Sequence, residues 1–191
     1  MKRIEKKAHL LETAVALFNR HGYHAAGVDR IIAESGIAKT TLYRHFATKE
    51  DLILAALRLQ DERSRDSMRA FVDQAATDPI EKLLATFDYL EAWFADRAFH
   101  GCPFVSAASE YGDETDPIFH EVALHKRLVL AYFEELAHAA GLADAKRVAE
   151  IINLLHEGAV AVAQVTRDPA TAGRAKEAAR RLLADEQSAF A

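Results

Sequence analysis

The sequence predicts an all-α protein with about nine helices, because apolar residues recur at helical spacing along almost the whole chain. The strict alternation of apolar and polar residues that is typical of half-buried strands is absent. Only four prolines and eight glycines interrupt the 191 residues, which are enough to bury a sizeable core in one or two domains. No apolar run approaches the roughly 20 residues that span a bilayer, so we expect no membrane anchor.

The first helix runs through IEKKAHLLETAVALFNRHGY and is expected to stop at Gly22. Its predicted buried stripe consists of four apolar residues, Leu11, Ala14, Val15 and Phe18. A short second helix, VDRIIAESG, follows Gly27, which can serve as its N-cap. Gly36 at its end can adopt the left-handed conformation that a tight turn requires.

The third helix lies within AKTTLYRHF and places Leu42 and Phe46 four residues apart on a buried face. Another face presents a polar, an aromatic and a cationic side chain: Thr40, Tyr43 and Arg44. Two short helices joined by a glycine-containing turn form a helix-turn-helix, whose second helix lies in the major groove of DNA. From composition alone, residues 36–52 could equally be a solvated connector, but the order of these signals favours the helix-turn-helix.

The charge of the chain is unevenly distributed. The net formal charge is −5, but residues 1–50 contain nine Lys or Arg against five Asp or Glu, a balance of +4. The remaining residues therefore carry −9, from 15 basic and 24 acidic side chains. A basic N-terminal quarter on an acidic body indicates that the first part of the chain meets a polyanion.

Six further helices are predicted after residue 47. Thr48 and Asp51 form an approximate capping box that opens a long helix, KEDLILAALRLQDERSRDSMRAFVDQA. Pro79 opens the next helix, and the segment between Gly101 and Pro117 can carry one short helix. Three long helices follow: IFHEVALHKRLVLAYFEELAHAAG, DAKRVAEIINLLHEGAVAVAQVTRD and TAGRAKEAARRLLADEQSAF.

These helices divide into a helix-turn-helix domain, residues 1–47, and a C-terminal helical domain, residues 48–191. The last two long helices are the predicted dimer surface. The first of them contains small residues that allow close helix approach, Gly158, Ala159, Ala161 and Ala163. It also supplies apolar area for a symmetric interface, through Ile151, Leu154, Leu155 and Val162.

The first quarter of the chain resembles the TetR family of bacterial transcriptional regulators through about 45 residues, LLETAVALFNRHGYHAAGVDRIIAESGIAKTTLYRHFATKEDL. The stretch GIAKTTLYRHFATKEDL carries the resemblance most specifically. The resemblance implies a DNA-binding domain followed by an effector-binding and dimerisation domain. It also implies a homodimer that binds a palindromic double-stranded DNA operator and is released by a small-molecule effector. Repression is the usual outcome in the family, and activation stays open.

The resemblance also implies individual contacts to DNA. Positions matching Lys39, Thr40 and Thr41 approach bases or phosphates, and the match to Tyr43 contacts a phosphate. Those matching Arg44 and His45 vary with operator sequence, and the match to Lys49 touches the DNA backbone. This chain departs from the family at three positions where a hydroxyl residue is common: Ala26, Gly27 and Ala38.

A candidate ligand site follows from aromatic residues with a few polar tips in the C-terminal domain. The set comprises Phe87, Trp93, Phe94, Cys102, Phe104, Tyr111 and His125. Aromatic residues at helical spacing are also typical of an ordinary core, so both interpretations stay open. The resemblance implies an effector site in this domain, and the effector is expected to be partly hydrophobic.

Three alternatives are weaker. Cys102 could be a redox switch, with His100 nearby to favour the thiolate, although a lone cysteine is more often buried and inert. A di-iron bundle needs two Glu-x-x-His motifs, and only Glu135 with His138 forms one, so we expect neither a metal nor another cofactor. No motif of an enzyme stands out, so catalysis is not expected. The N-terminus lacks the features of a signal peptide, which predicts a cytoplasmic protein.

Overall fold

The computed structural model describes residues 3–188, and this part of the chain contains nine α-helices and no strand, as the sequence predicts. The helices are α1 (Arg3–His21), α2 (Val28–Ser35), α3 (Lys39–His45), α4 (Lys49–Ala75), α5 (Pro79–Ala95), α6 (Pro103–Glu110), α7 (Pro117–Ala139), α8 (Ala145–Thr166) and α9 (Thr171–Ser188).

The contacts divide the chain into two compact units. The first unit combines Met1–Arg63 with Pro103–His125, and the second combines Ser64–Cys102 with Lys126–Ala191. Both α4 and α7 contribute to each unit, because the divisions fall inside these helices. The short α6 therefore clusters with the three N-terminal helices, from which it is distant in sequence.

In the first unit, α1 packs against α2 and α3. The buried side of α1 is formed by Leu10, Ala14, Leu17 and Phe18. The predicted stripe was therefore wrong in two of its four members, because Leu11 and Val15 lie only half-buried beside the contact. Since α1 contacts both α2 and α3, its buried face is rotated toward Leu10 and Leu17 relative to the predicted stripe.

In the second unit, α9 packs against α5 and α8, and α5 also contacts α8. The buried side of α8 includes Ala159 and Ala163, two of the small residues predicted for the dimer surface. Their small side chains thus serve packing within the protomer. Gly158 and Ala161 are exposed, as are the larger apolar residues Leu154, Val162 and Val165 of the same helix.

Several predicted helix ends are confirmed. The N-cap Asp78 accepts hydrogen bonds from the backbone N–H groups of Ile80 and Glu81, with Pro79 in the first turn of α5. Gly141 ends α7 with a φ of 70°. By length and composition alone, α8 is the one helix in the described residues that could cross a membrane, and 39% of its most apolar window is buried within the chain.

Candidate DNA interface and ligand site

The turn between α2 and α3 is held by local hydrogen bonds around Ser35 and Gly36. Gly36 adopts a φ of 64°, and its N–H donates to the carbonyl oxygen of Ile32 at 3.0 Å. The buried hydroxyl of Ser35 accepts a hydrogen bond from the N–H of Ile37 at 3.3 Å. The Ser35 carbonyl oxygen lies 3.2 Å from Nε2 of His9 on α1. These contacts hold the turn that precedes α3.

Helix α3 has one buried and one exposed face. Leu42 is fully buried and Phe46, the residue that follows the helix, is 5% exposed. Four of the side chains predicted to contact DNA are exposed on α3, Lys39, Thr40, Tyr43 and Arg44, while Thr41 and His45 are half-buried. Ala38 occupies the N-cap of α3 and makes no side-chain cap, so the hydroxyl that is common in the resembling sequences has no replacement here.

The two predicted lysine contacts differ in their surroundings. Lys39 donates to Oδ1 of Asp29 at 2.9 Å, and this hydrogen bond raises the pKa of the lysine. Because both side chains are largely exposed, the ion pair is weak and a phosphate can compete with Asp29 for the ammonium. Lys49 is half-buried and donates to the backbone carbonyl oxygen of His24 at 3.1 Å. An ammonium has three N–H donors, so this bond leaves donors for a second partner.

Lys49 is the first residue of α4 and lies within a capping box formed by Thr48 and Asp51. The hydroxyl of Thr48 accepts from the N–H of Asp51 at 3.1 Å, and the carboxylate of Asp51 accepts from the N–H of Thr48 at 3.0 Å. The predicted capping box is confirmed, and it places the lysine next to the end of α3.

A carboxylate that the sequence pattern did not single out links α6 to the turn after α1. Glu110 accepts hydrogen bonds from the backbone N–H groups of Tyr23 at 2.8 Å and His24 at 2.5 Å, and its Oε2 lies 3.0 Å from Nδ1 of His24. The hydroxyl of Tyr23 donates to the carbonyl oxygen of Pro103 at 3.1 Å. Gly22 adopts a φ of 84° beside this carboxylate, and a Cβ atom there would lie 2.8 Å from Oε1 of Glu110.

The predicted ligand residues of the first unit are already engaged with other side chains. Phe104 stacks on His125 with a centroid distance of 3.5 Å, and Nδ1 of His125 lies 2.8 Å from Oδ1 of Asp61. Tyr111 stacks on His24 at 4.7 Å. Burial, and secondarily the charge of nearby carboxylates, raises the pKa of Tyr111 to about 12, so it stays protonated and can donate at neutral pH.

The predicted ligand residues of the second unit form separate groups. Trp93 and Phe94 both pack against Phe99, with centroid distances of 5.0 Å. Phe87 contacts His156, a residue that the sequence interpretation did not select. Cys102 is buried, and its Sγ lies 3.6 Å from Nζ of Lys126 on α7. The ring contacts therefore distribute the seven residues over several clusters in two units. A sequence pattern carries no signal for such distant pairings.

Other features of the described residues lie apart from these groups. No three His, Cys, Asp or Glu side chains between residues 3 and 188 come together in a way that could hold a metal ion. An open cleft of about 430 Å³ lies where α4 ends and α5 begins, and none of the seven predicted ligand residues lines it.

Two family sequence models match the chain. The family described as bacterial regulatory proteins, tetR family, matches residues 10–56, which include α2 and α3. The domain described as tetracyclin repressor-like, C-terminal domain, matches residues 79–179.

Individual proteins are similar over comparable ranges. The HTH-type transcriptional regulator LmrA of Bacillus subtilis is 28% identical over 160 residues, which are 82% of this chain and 85% of that protein. The HTH-type transcriptional repressor KstR2 of Mycobacterium tuberculosis is 34% identical over 90 residues, 45% of this chain and 44% of that protein. The crystal structure of SCO4454, a TetR-family transcriptional regulator from Streptomyces coelicolor, superimposes with a TM-score of 0.86 at 31% identity, covering 95% of this chain and 96% of that one.

Proposed function

This chain belongs to the TetR family of bacterial regulatory proteins and is a transcriptional regulator, and from this premise we propose that it is a homodimeric repressor released from its operator by a small molecule. The observation that carries the proposal is the exposed polar face of α3, which stands over a buried Leu42 and within the matched N-terminal segment. A face with threonine, tyrosine and arginine side chains suits base edges and phosphates together.

The proposed roles in DNA binding differ among the seven predicted residues. Arg44 reads a base, because a guanidinium can grip guanine with two hydrogen bonds. The phosphate contacts come from Lys39, Tyr43 and Lys49, whose donors suit phosphate oxygens. The remaining residues, Thr40, Thr41 and His45, lie on or beside the same exposed face and complete the contact with base edges or the backbone.

The proposed dimer forms through α8 and α9. Leu154, Val162 and Val165 of α8 are 70%, 48% and 83% exposed in the protomer, and they follow one another at helical spacing. Exposed Gly158 and Ala161 lie between them and allow a second helix to approach closely. Burial of this stripe in a symmetric interface would remove apolar surface from water and would present two α3 helices to a palindromic operator.

The proposed effector response acts through α6. Because Glu110 at the end of α6 holds the backbone of Tyr23 and His24, a displacement of α6 changes the support of the turn that leads into α2. An effector bound in the C-terminal domain, residues 48–191, releases DNA only to the extent that it prefers the DNA-incompetent state. The proposed ligand residues are considered separately in each unit: Phe104, Tyr111 and His125 in the first, and Phe87, Trp93, Phe94 and Cys102 in the second. Residues 1–47 form the proposed DNA-binding domain.

We further propose that the protein works in the cytoplasm, because a repressor of transcription acts where its operator is. We propose that it does so without a membrane partner, a cofactor or a catalytic activity of its own. A thiol-based response is the second candidate, since the Lys126 ammonium contacts Sγ of Cys102.

The proposed function is tested by selecting DNA sites from a random library and measuring affinity by fluorescence anisotropy. Lys49→Ala is expected to weaken binding equally for all sequences and to reduce the salt slope by about 1. Arg44→Ala is expected to reduce the preference at one base pair, by about 1–3 kcal/mol. Arg97→Ala, which removes an exposed charge in the second unit, is the control. Unchanged affinity and preference in both α3–α4 variants would contradict the proposed interface.

A further inference from the structure

His156 is a buried histidine on α8 within the second unit, and it packs between aromatic rings. Its ring lies edge-on to Phe87, at a centroid distance of 5.8 Å, and to Phe133, at 5.2 Å. Only 7% of the surface of this residue is exposed. Phe87 is one of the proposed ligand residues, whereas His156 and Phe133 are among neither the proposed ligand residues nor the proposed DNA contacts.

The chemistry of this ring is set by its surroundings. The backbone carbonyl oxygen of Thr86 interacts with the ring as a hydrogen-bond acceptor, while Nε2 has no hydrogen-bond partner among the described residues. The N–H of a neutral ring is therefore on Nδ1, and Nε2 presents a lone pair. Burial, and then the positive charge of Lys126, lowers the pKa of His156 to about 3, so the ring is neutral at physiological pH.

An unpartnered acceptor at this depth selects the ligand that can satisfy it. A buried polar atom left without a hydrogen bond costs about 1–3 kcal/mol, so a donor that reaches Nε2 gains the removal of that cost. A carboxylate has no proton to donate. A cation is disfavoured by the nearby ammonium of Lys126, which already donates to both carboxylate oxygens of Glu157, at 2.7 and 2.6 Å.

We propose that Nε2 of His156 is the hydrogen-bond acceptor of the effector site, and that the effector is an uncharged aromatic compound with a hydroxyl group. The hydroxyl donates to Nε2, and the aromatic body packs against the rings of Phe87 and Phe133. This inference rests on the proposed effector response, but direct binding can be measured without DNA.

The experiment compares 2-naphthol with 2-methoxynaphthalene, which has the same ring system but no hydroxyl proton. Calorimetric titration of the full-length protein is expected to give about fivefold tighter binding of 2-naphthol, the effect of one net hydrogen bond. His156→Phe keeps an aromatic ring without the acceptor and is expected to abolish the difference. His138→Phe, the same change at an exposed position of α7, is expected to preserve it.

A second measurement uses the wild-type protein alone, in case His156→Phe does not fold. The nitrogen resonance of the His156 ring is expected to shift when 2-naphthol is added and to stay unchanged with 2-methoxynaphthalene. Equal affinities in the wild type, a preference that persists in a folded His156→Phe variant, or no binding of either compound would overturn the inference. Operator binding by the unliganded protein is measured in parallel. Its loss would count against the proposed function, whereas intact operator binding without naphthol binding would count against the effector site alone.

Discussion

Removal of the Glu110 carboxylate is expected to destabilise the protein and to weaken its binding to DNA. Glu110→Ala deletes the acceptor of two backbone N–H groups in the turn between α1 and α2. The N–H of His24 is exposed and can bond to water instead, so its loss costs little. Tyr23 is 1% exposed, so its N–H loses a charge-assisted hydrogen bond with no ready replacement.

The magnitude follows from that one buried donor. Hydrogen bonds to charged groups contribute about 1.5–3 kcal/mol, and we take about 2 kcal/mol for Glu110→Ala. For a chain of this length, such a loss corresponds to a Tm lower by about 4–8 °C. The weakened turn leads into α2, so the variant is expected to populate the DNA-competent arrangement less. Its operator affinity should therefore be about threefold lower, or more.

The assay compares thermal unfolding and operator affinity for three variants. Glu110→Gln retains one amide oxygen, which can replace only one of the two acceptors, and is expected to fall between Glu110→Ala and the wild type. Glu114→Ala removes an equal charge from an exposed position after α6. It is the control, because the loss of any negative charge strengthens the electrostatic attraction of the protein to DNA. If Glu110→Ala and Glu114→Ala had the same Tm and the same affinity, the link from α6 to the α1–α2 turn would carry no free energy.

Three further predictions concern the second unit. In Gly158→Leu the fold should be retained, because a Cβ atom at this position meets nothing within 4 Å in the protomer. Sedimentation should show a dimer weakened by about 1–3 kcal/mol. Gly158→Ala should stay dimeric, and a leucine variant that dimerises as well as the wild type would exclude this surface as the interface. Cys102→Ser should retain operator binding and release by hydrophobic compounds, whereas release by peroxide in the wild type alone would identify the thiol as the trigger. His156 stays neutral in the folded protein down to a pKa of about 3, whereas the unfolded side chain takes up a proton near pH 6.5. Lowering the pH from 6 to 4 should therefore decrease the free energy of unfolding of the wild type more than that of His156→Phe, by up to about 1.4 kcal/mol per pH unit. If denaturant titrations gave the same pH dependence for both proteins, His156 would not be kept neutral by the fold.

The features predicted correctly from the sequence are local ones. The Thr48–Asp51 capping box, the left-handed Gly36 and the start of α5 at Pro79 each depend on residues within four positions of one another. The backbone geometry of a helix end restricts which side chains can satisfy its free N–H and C=O groups, so their identity can be read from the sequence. The exposed face of α3 is predictable for the same reason, because helical periodicity separates it from Leu42 and Phe46.

The errors and omissions arise where two helices meet. The stripe on α1 was displaced because its contact partners, α2 and α3, determine which residues are covered. Ala159 and Ala163 are suited by size to any close helix contact, and only their burial in the protomer assigns them to the core.

The sequence by itself therefore determined an all-α chain, a helix-turn-helix with its exposed polar face, and the family, because these depend on short-range periodicity and on a contiguous motif. Only the tertiary structure joined Glu110 to Tyr23, which is 87 positions away, and placed a neutral His156 between Phe87 and Phe133. Contacts of this kind depend on how distant helices pack, and burial then decides the protonation state of a histidine or the strength of a hydrogen bond. Local sequence carries no record of that packing.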